Sequence, residues 1–147
     1  MLYLFSILMF IAGLFIGKLL FSGTKPRALL TVHITQNGWD ANEIAGLLAS
    51  VVVRKMPGLI PNVILETDKT LVFKHPRPKF NIHYLFVPKK DIKNIGGLCE
   101  EDNEYLLDLF AAITTIINKD GITNYRLLSN GPEKQDVAYL HFHLTAD

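Results

Sequence analysis

The segment Tyr139-Leu140-His141-Phe142-His143-Leu144 alternates strictly along its length. Successive side chains of a strand point to opposite faces. The period therefore places Tyr139, His141 and His143 on one face and Leu140, Phe142 and Leu144 on the other. The apolar face needs a core to pack against. The opposite face then presents two imidazoles to a cleft, a partner or solvent. Neutral imidazole is a nucleophile, a proton carrier and a metal ligand near neutral pH.

The rest of the chain supplies the sheet and its cover. Asp40 or Asn42 can cap a helix that runs to about Lys55, with Pro57-Gly58 as its stop. The apolar centre of this helix, Ile44 to Val53, is too short to span a bilayer. It reads as core packing, with contact to a bilayer surface as the alternative. Strands follow at Asn62 to Glu66 and Thr70 to Lys74, joined by a turn at Thr67-Asp68-Lys69. Asn81 to Val87 is a further strand, closed by Pro88. Glu101 or Asp102 opens a second helix to about Asn118. Its expected buried stripe is Leu106, Leu109, Phe110, Ile113, Ile116 and Ile117, and Gly121 stands at the C-cap. Tyr125 to Asn130 and Tyr139 to Leu144 are the last strands. Five strands and two helices make an α+β domain with an antiparallel sheet.

The N-terminus reads differently. Met1 to Gly17 is nearly all apolar, and the run continues through Leu19, Leu20 and Phe21 after Lys18. A bilayer core of ~30 Å needs ~20 helical residues, and Lys18 can snorkel to the headgroups. Residues 1–22 are expected to be a transmembrane anchor. The rival is a cleaved signal peptide, but no positive residue precedes the run and no clear small-x-small site comes after it. Lys18, Lys25 and Arg27 flank its C-terminal end, so the positive-inside tendency places the C-terminal domain in the cytoplasm. Residues 23–39, with Gly23 and Pro26, read as a linker or tether. Leu30 to Thr35 is a strand or part of that tether, and His33 a surface residue. Residues 40–147 are the globular domain. A net charge of +1 over 147 residues gives no support for a nucleic-acid surface. Cys99 is the only cysteine, which leaves no intrachain disulfide and no cysteine-based zinc site.

Gln135-Asp136-Val137 followed by the alternating strand resembles the end of the histidine triad (HIT) family, whose signature is His-φ-His-φ-His-φ with φ apolar. Phe73 to Lys90, with His83, an apolar run and Pro88-Lys89, resembles the family's central strand. Gly58-Leu59-Ile60-Pro61 and Glu66-Thr67-Asp68-Lys69 match its helix exit and hairpin. The similarity covers about Asp40 to Leu144, in order and spacing. It implies a HIT-like five-stranded antiparallel sheet with two helices, here after one transmembrane helix, and a homodimer. It also implies a nucleotide phosphoramidase or hydrolase acting on a nucleoside monophosphate conjugate through a nucleotidyl-histidine.

By position, the resemblance makes His141 the nucleophile, with its other nitrogen held by the carbonyl of residue 139. His143 and His83 would line the phosphate site. Asn130 and Asp136 match polar positions near the phosphates and leaving group. Two residues depart from the pattern. Tyr139 stands where the first histidine belongs, and a phenol differs in reach and has a pKa of about 10. His75 stands where members carry an Asp that holds the ribose hydroxyls, and an imidazole cannot reproduce bidentate acceptance. Lys74, Arg77 and Lys79 make that loop basic, either as a solvated loop or in favour of a more phosphate-rich ligand. No cofactor is expected. The His141/His143 pair, with His83, also suits a metal, but no Asp, Glu or Cys ligand pattern accompanies it and no metal ligand is assigned. The other alternative is a catalytically silent scaffold that binds a nucleotide or a protein at the membrane.

Overall fold

The computed structural model describes residues 2–22, 34–35, 38–39 and 41–147. Lys25, Arg27, His33 and Asp40 lie outside these residues, as does most of the expected tether. Helix α1 (Leu2–Phe21) is apolar on all sides. Its span Tyr3–Phe21 has a mean hydropathy of 2.3 and no buried residues, so length and composition suffice to cross a membrane. A signal sequence has the same character. Two-residue strands β1 (Ile34–Thr35) and β2 (Gly38–Trp39) pair antiparallel, a small hairpin in the stretch read as tether.

Helix α2 (Ala41–Lys55) has Glu43 in its first turn and Arg54 and Lys55 in its last, each complementing the helix dipole. It ends where Pro57, which has no N–H to donate, opens a single 3-10 turn over Pro57–Leu59. Strands β3 (Val63–Glu66), β4 (Thr70–Lys74), β5 (Ile82–Pro88), β6 (Arg126–Leu128) and β7 (Phe142–Ala146) form one antiparallel sheet in the order β3-β4-β5-β7-β6. The β3–β4 turn is tied by Thr67, whose Oγ1 accepts the Thr70 N–H at 2.8 Å and donates to Asp108 of the helix α3 (Asn103–Asp120) at 2.5 Å.

The sheet has a different partner on each face. Leu109, Ala112, Ile113 and Ile116 of α3 pack with Val72, Phe86, Leu140, Phe142 and Leu144. On the other face Val53 of α2 packs with Leu71, Val87 and Tyr139. One residue of the expected α3 stripe is misplaced: Phe110 is 46% exposed, and Ala112 takes the buried position. Phe110 comes one residue after Leu109, about 100° around the helix, so it touches the core only edgewise, against Phe142. Gly121 caps α3 at φ 64°, a left-handed conformation that costs glycine little.

The last two strands are shorter than their patterns. The β7 ladder begins at Phe142, not at Tyr139. Residues 139–141 bond elsewhere: the Tyr139 N–H goes to Val137, and the Leu140 N–H to Ile92 at 2.7 Å. The alternation survives this change of partners, so Leu140, Phe142 and Leu144 all reach the α3 core.

Candidate active site

On the α2 side the sheet is only partly covered, and an open cleft of about 780 Å³ remains. Every candidate from the sequence lines it. His83 comes from β5 and His143 from β7, held together because Leu85 pairs with His143 and His83 with Thr145. His141 stands just before β7. His75 comes from the loop after β4, and Asn130, Asp136 and Tyr139 from the segment between β6 and β7.

The sequence did not single out the cleft's apolar wall, which includes Ala49, Val53, Phe73, Leu85 and Val87. Ala49 and Val53 are an i,i+4 pair on α2, and the other three alternate on strands. That pattern signals core, and it says nothing of whether the core is left open.

Hydrogen bonds set the ring tautomers. His141 Nδ1 lies 2.6 Å from the Tyr139 carbonyl oxygen, the acceptor that the resemblance implies. A carbonyl only accepts, so Nδ1 carries the hydrogen and Nε2 is left with its lone pair. The His83 Nδ1 accepts the Lys79 N–H at 3.4 Å, which leaves the hydrogen on Nε2. That Nε2 is 3.0 Å from His143 Nδ1 and donates to it. His143 in turn carries its hydrogen on Nε2, a buried atom without a protein partner. His75 Nδ1 accepts the Arg77 N–H at 3.0 Å, and its ring stacks on His83 with centroids 4.1 Å apart. The wall thus offers one lone pair, on His141, beside donors on His143 and His75.

The site also keeps three of its imidazoles, those of His83, His141 and His143, uncharged. Burial pushes His141 below the ordinary range, as does His75; the Tyr139 carbonyl and Asp136 act the other way. His143 is pushed down to about 4, first by burial and then by His141, His83 and His75, against Asp136. Burial also lowers His83, with His75 and Lys79 adding to it. All three are neutral at pH 7.

Tyr139 is 2% exposed, and its hydroxyl donates to the Pro88 carbonyl at 2.5 Å. Its phenol belongs to the cleft floor, where ring and hydroxyl are both committed. Candidate ligand atoms of His75, His83 and His143 lie within 4.8 Å of one another. A metal-bound imidazole normally donates from its other nitrogen. In His75 and His83 that nitrogen already accepts a backbone N–H, so the trio fits a set of hydrogen-bond donors better than a metal centre.

The family model described as "Scavenger mRNA decapping enzyme C-term binding" matches residues 57–147. An uncharacterised HIT-like protein of Helicobacter pylori is 32% identical over 100 residues, covering 65% of this chain and 93% of that one. Another, from Synechococcus elongatus, is 30% identical over 101 residues, covering 67% and 86%. Among solved structures, a HIT family hydrolase of Legionella pneumophila superposes with a TM-score of 0.59 at 29% identity. It covers 64% of this chain and 88% of its own. One from Clostridium thermocellum gives 0.59 at 26% identity, covering 66% and 89%.

The α+β architecture and the histidine-walled cleft define a hydrolase-like domain with a nucleotide-binding fold. The chain belongs to the histidine triad family.

Proposed function

We propose that this protein is a membrane-anchored hydrolase that releases a nucleoside monophosphate from a conjugate, a phosphoramidate in particular, through a nucleotidyl-histidine on His141. The observation that carries this reading is the His141 Nδ1 bond to the Tyr139 carbonyl. It aims an uncharged Nε2 lone pair into the cleft without help from any side chain at position 139.

In the first step Nε2 bonds to the α-phosphorus, and the bond from phosphorus to the leaving nitrogen breaks. The nitrogen departs as an amine, taking up a proton from solvent, with the His143 Nε2–H hydrogen-bonded to it. In the second step a water oxygen bonds to the same phosphorus, the phosphorus–Nε2 bond breaks, and the water proton goes to solvent. Splitting one displacement into two is the advantage of covalent catalysis. The amide of Asn130, which lines the cleft, serves the phosphoryl oxygens. The apolar wall of Val53, Phe73 and Val87 suits a nucleobase.

On this reading α1 spans the membrane, and the domain faces the cytoplasm. The protein is a homodimer. Among the described residues edge strand β6 has no neighbour on one side, and Leu107, Phe110 and Leu128 are exposed apolar groups, features that a second copy can cover.

The test uses full-length protein in detergent with adenosine phosphoramidates as substrates. Intact mass is measured without acid. Wild type should turn over substrate and carry an added nucleotidyl group, and His141→Ala should do neither. Nucleotide binding with no turnover and no adduct in wild type would instead establish the silent scaffold.

A further inference from the structure

We propose that the loop from Lys74 to Lys79, with the small cavity beside it, forms a second phosphate subsite. The nucleotide this protein takes would then carry a phosphoryl group on its ribose as well as at the 5′ position. The inference rests on the reading of the cleft as a nucleotide site and narrows its substrate class.

Three observations converge on this loop. The first is charge left unpaired. Elsewhere in the domain Lys69 pairs with Glu104, Lys89 with Glu66, Lys90 with Asp102 and Lys93 with Glu43, at 2.6 to 3.3 Å. Lys74, Arg77 and Lys79, like Lys55, Lys119, Arg126 and Lys134 elsewhere, have no carboxylate partner among the described residues, but they stand together on one loop. Arg77 and Lys79 line the cleft itself.

The second is the polarity of His75. Its Nδ1 is taken by the Arg77 N–H, so the neutral ring can only donate, from Nε2. Such a ring can serve a phosphoryl oxygen. It cannot accept from a pair of hydroxyls, as a carboxylate does. Dinucleotide-binding folds make the same exchange: an acid holds the free ribose hydroxyl, and a cation the 2′-phosphate.

The third is space. A cavity of about 370 Å³ adjoins the cleft and shares His75, Pro76 and His83 with it. Lys74, Asn62, Asn81 and Tyr84 complete its polar lining, which contains no carboxylate; the Tyr84 hydroxyl donates outward to Asp120 at 3.3 Å. The His75 ring centre is 5.8 Å from that of His143. A ribose whose 5′-phosphate sits at His141 and His143 can thus reach the loop.

Equilibrium binding to full-length protein in detergent tests this with four unreactive probes: AMP, ADP, adenosine 2′,5′-bisphosphate and adenosine 3′,5′-bisphosphate. At least one bisphosphate should bind about tenfold tighter than AMP, as charge-assisted hydrogen bonds would give. ADP should not share that gain. The preference should shrink to within about threefold in the Lys74→Gln/Arg77→Gln double variant, which loses two cations and keeps the backbone N–H that holds His75. AMP binding to the same variant shows that the cleft is intact. The proposal is overturned if AMP matches both bisphosphates, if ADP gains as much as they do, or if the double variant keeps the preference. If wild type binds none of the four, the nucleotide reading itself falls, and the subsite with it.

Discussion

At the start of α3, Lys90 and Asp102 meet at 2.6 Å, and Asp102 also accepts the Cys99 N–H at 3.0 Å. On the opposite face of the sheet, His143 Nε2 is buried without a protein partner among the described residues, and Arg77 and Lys79 line the cleft with no carboxylate paired to them among those residues. Both regions hold charge and polarity close to a hydrophobic core. In the first the groups satisfy one another; in the second they wait for something else. Paired groups hold a fold together, and buried groups left open are the kind found where a ligand completes the set. Substitutions on the two faces should therefore separate stability from activity.

The largest effect is expected in the cleft. His143→Phe and His83→Phe should each lower kcat by about 10²- to 10³-fold, the cost of losing a preorganised hydrogen-bond donor: His143 gives its Nε2–H to the leaving nitrogen, and His83 fixes the tautomer that puts it there. Their urea midpoints should stay near wild type, since neither ring is charged in the fold. A matching loss of stability in either variant would show that the histidine wall is structural, and the contrast between the faces would disappear.

The opposite face should behave in reverse. Lys90→Met leaves the Asp102 carboxylate buried and short of its cation. Burial alone would raise that carboxyl, but the hydrogen bonds from Lys90 and Cys99 outweigh it and hold the group below its usual range. Removing one partner of a buried pair is costly, and Lys90 is partly exposed, so about 2–4 kcal/mol of stability should be lost. Turnover per folded molecule should not change. Urea denaturation and active-site titration of the same preparation check the two halves.

The pH response sharpens the comparison further. His143 titrates at 6.5 in an unfolded chain and about 4 when folded, so between these values the unfolded state binds more protons. Stability from this group is full above pH 6.5 and is lost as pH falls toward 4. The Asp102 contribution persists lower still, since its folded carboxyl titrates below the ordinary 3.8. In metal-free buffer the wild-type urea midpoint should fall between pH 6.5 and 4.5. His143→Phe should flatten that decline, and Lys90→Met should leave its shape unchanged.

How much of the molecule was legible in the sequence depends on the range of each interaction. The alternation of residues 139–144 showed which side chains share a face, because a strand's period depends only on its neighbours. The convergence of His75, His83, His141 and His143 was legible through the family pattern. The uniform apolarity of α1 was plain in composition, as was most of the α3 stripe. The cleft floor was not legible. Tyr139 is buried by Val53, Leu71 and Val87, residues between about fifty and ninety positions away. Nor was the tautomer of His75, which a backbone N–H two residues on decides.

Tyr139 gives the smallest predicted effect and joins the two kinds of polar group in one residue. Its carbonyl serves the cleft by holding His141, and its hydroxyl serves the fold by bonding to Pro88. Tyr139→Phe removes only the second. It should cost about 1 kcal/mol, the usual net worth of one hydrogen bond, and leave kcat within about twofold. Tyr139→His keeps the carbonyl, but it puts a smaller, polar ring in a slot shaped for a phenol. It should lose stability by at least as much as Tyr139→Phe without raising kcat. A large gain in turnover from Tyr139→His would mean that a side chain at this position acts on substrate, and that the backbone carbonyl alone does not account for activity.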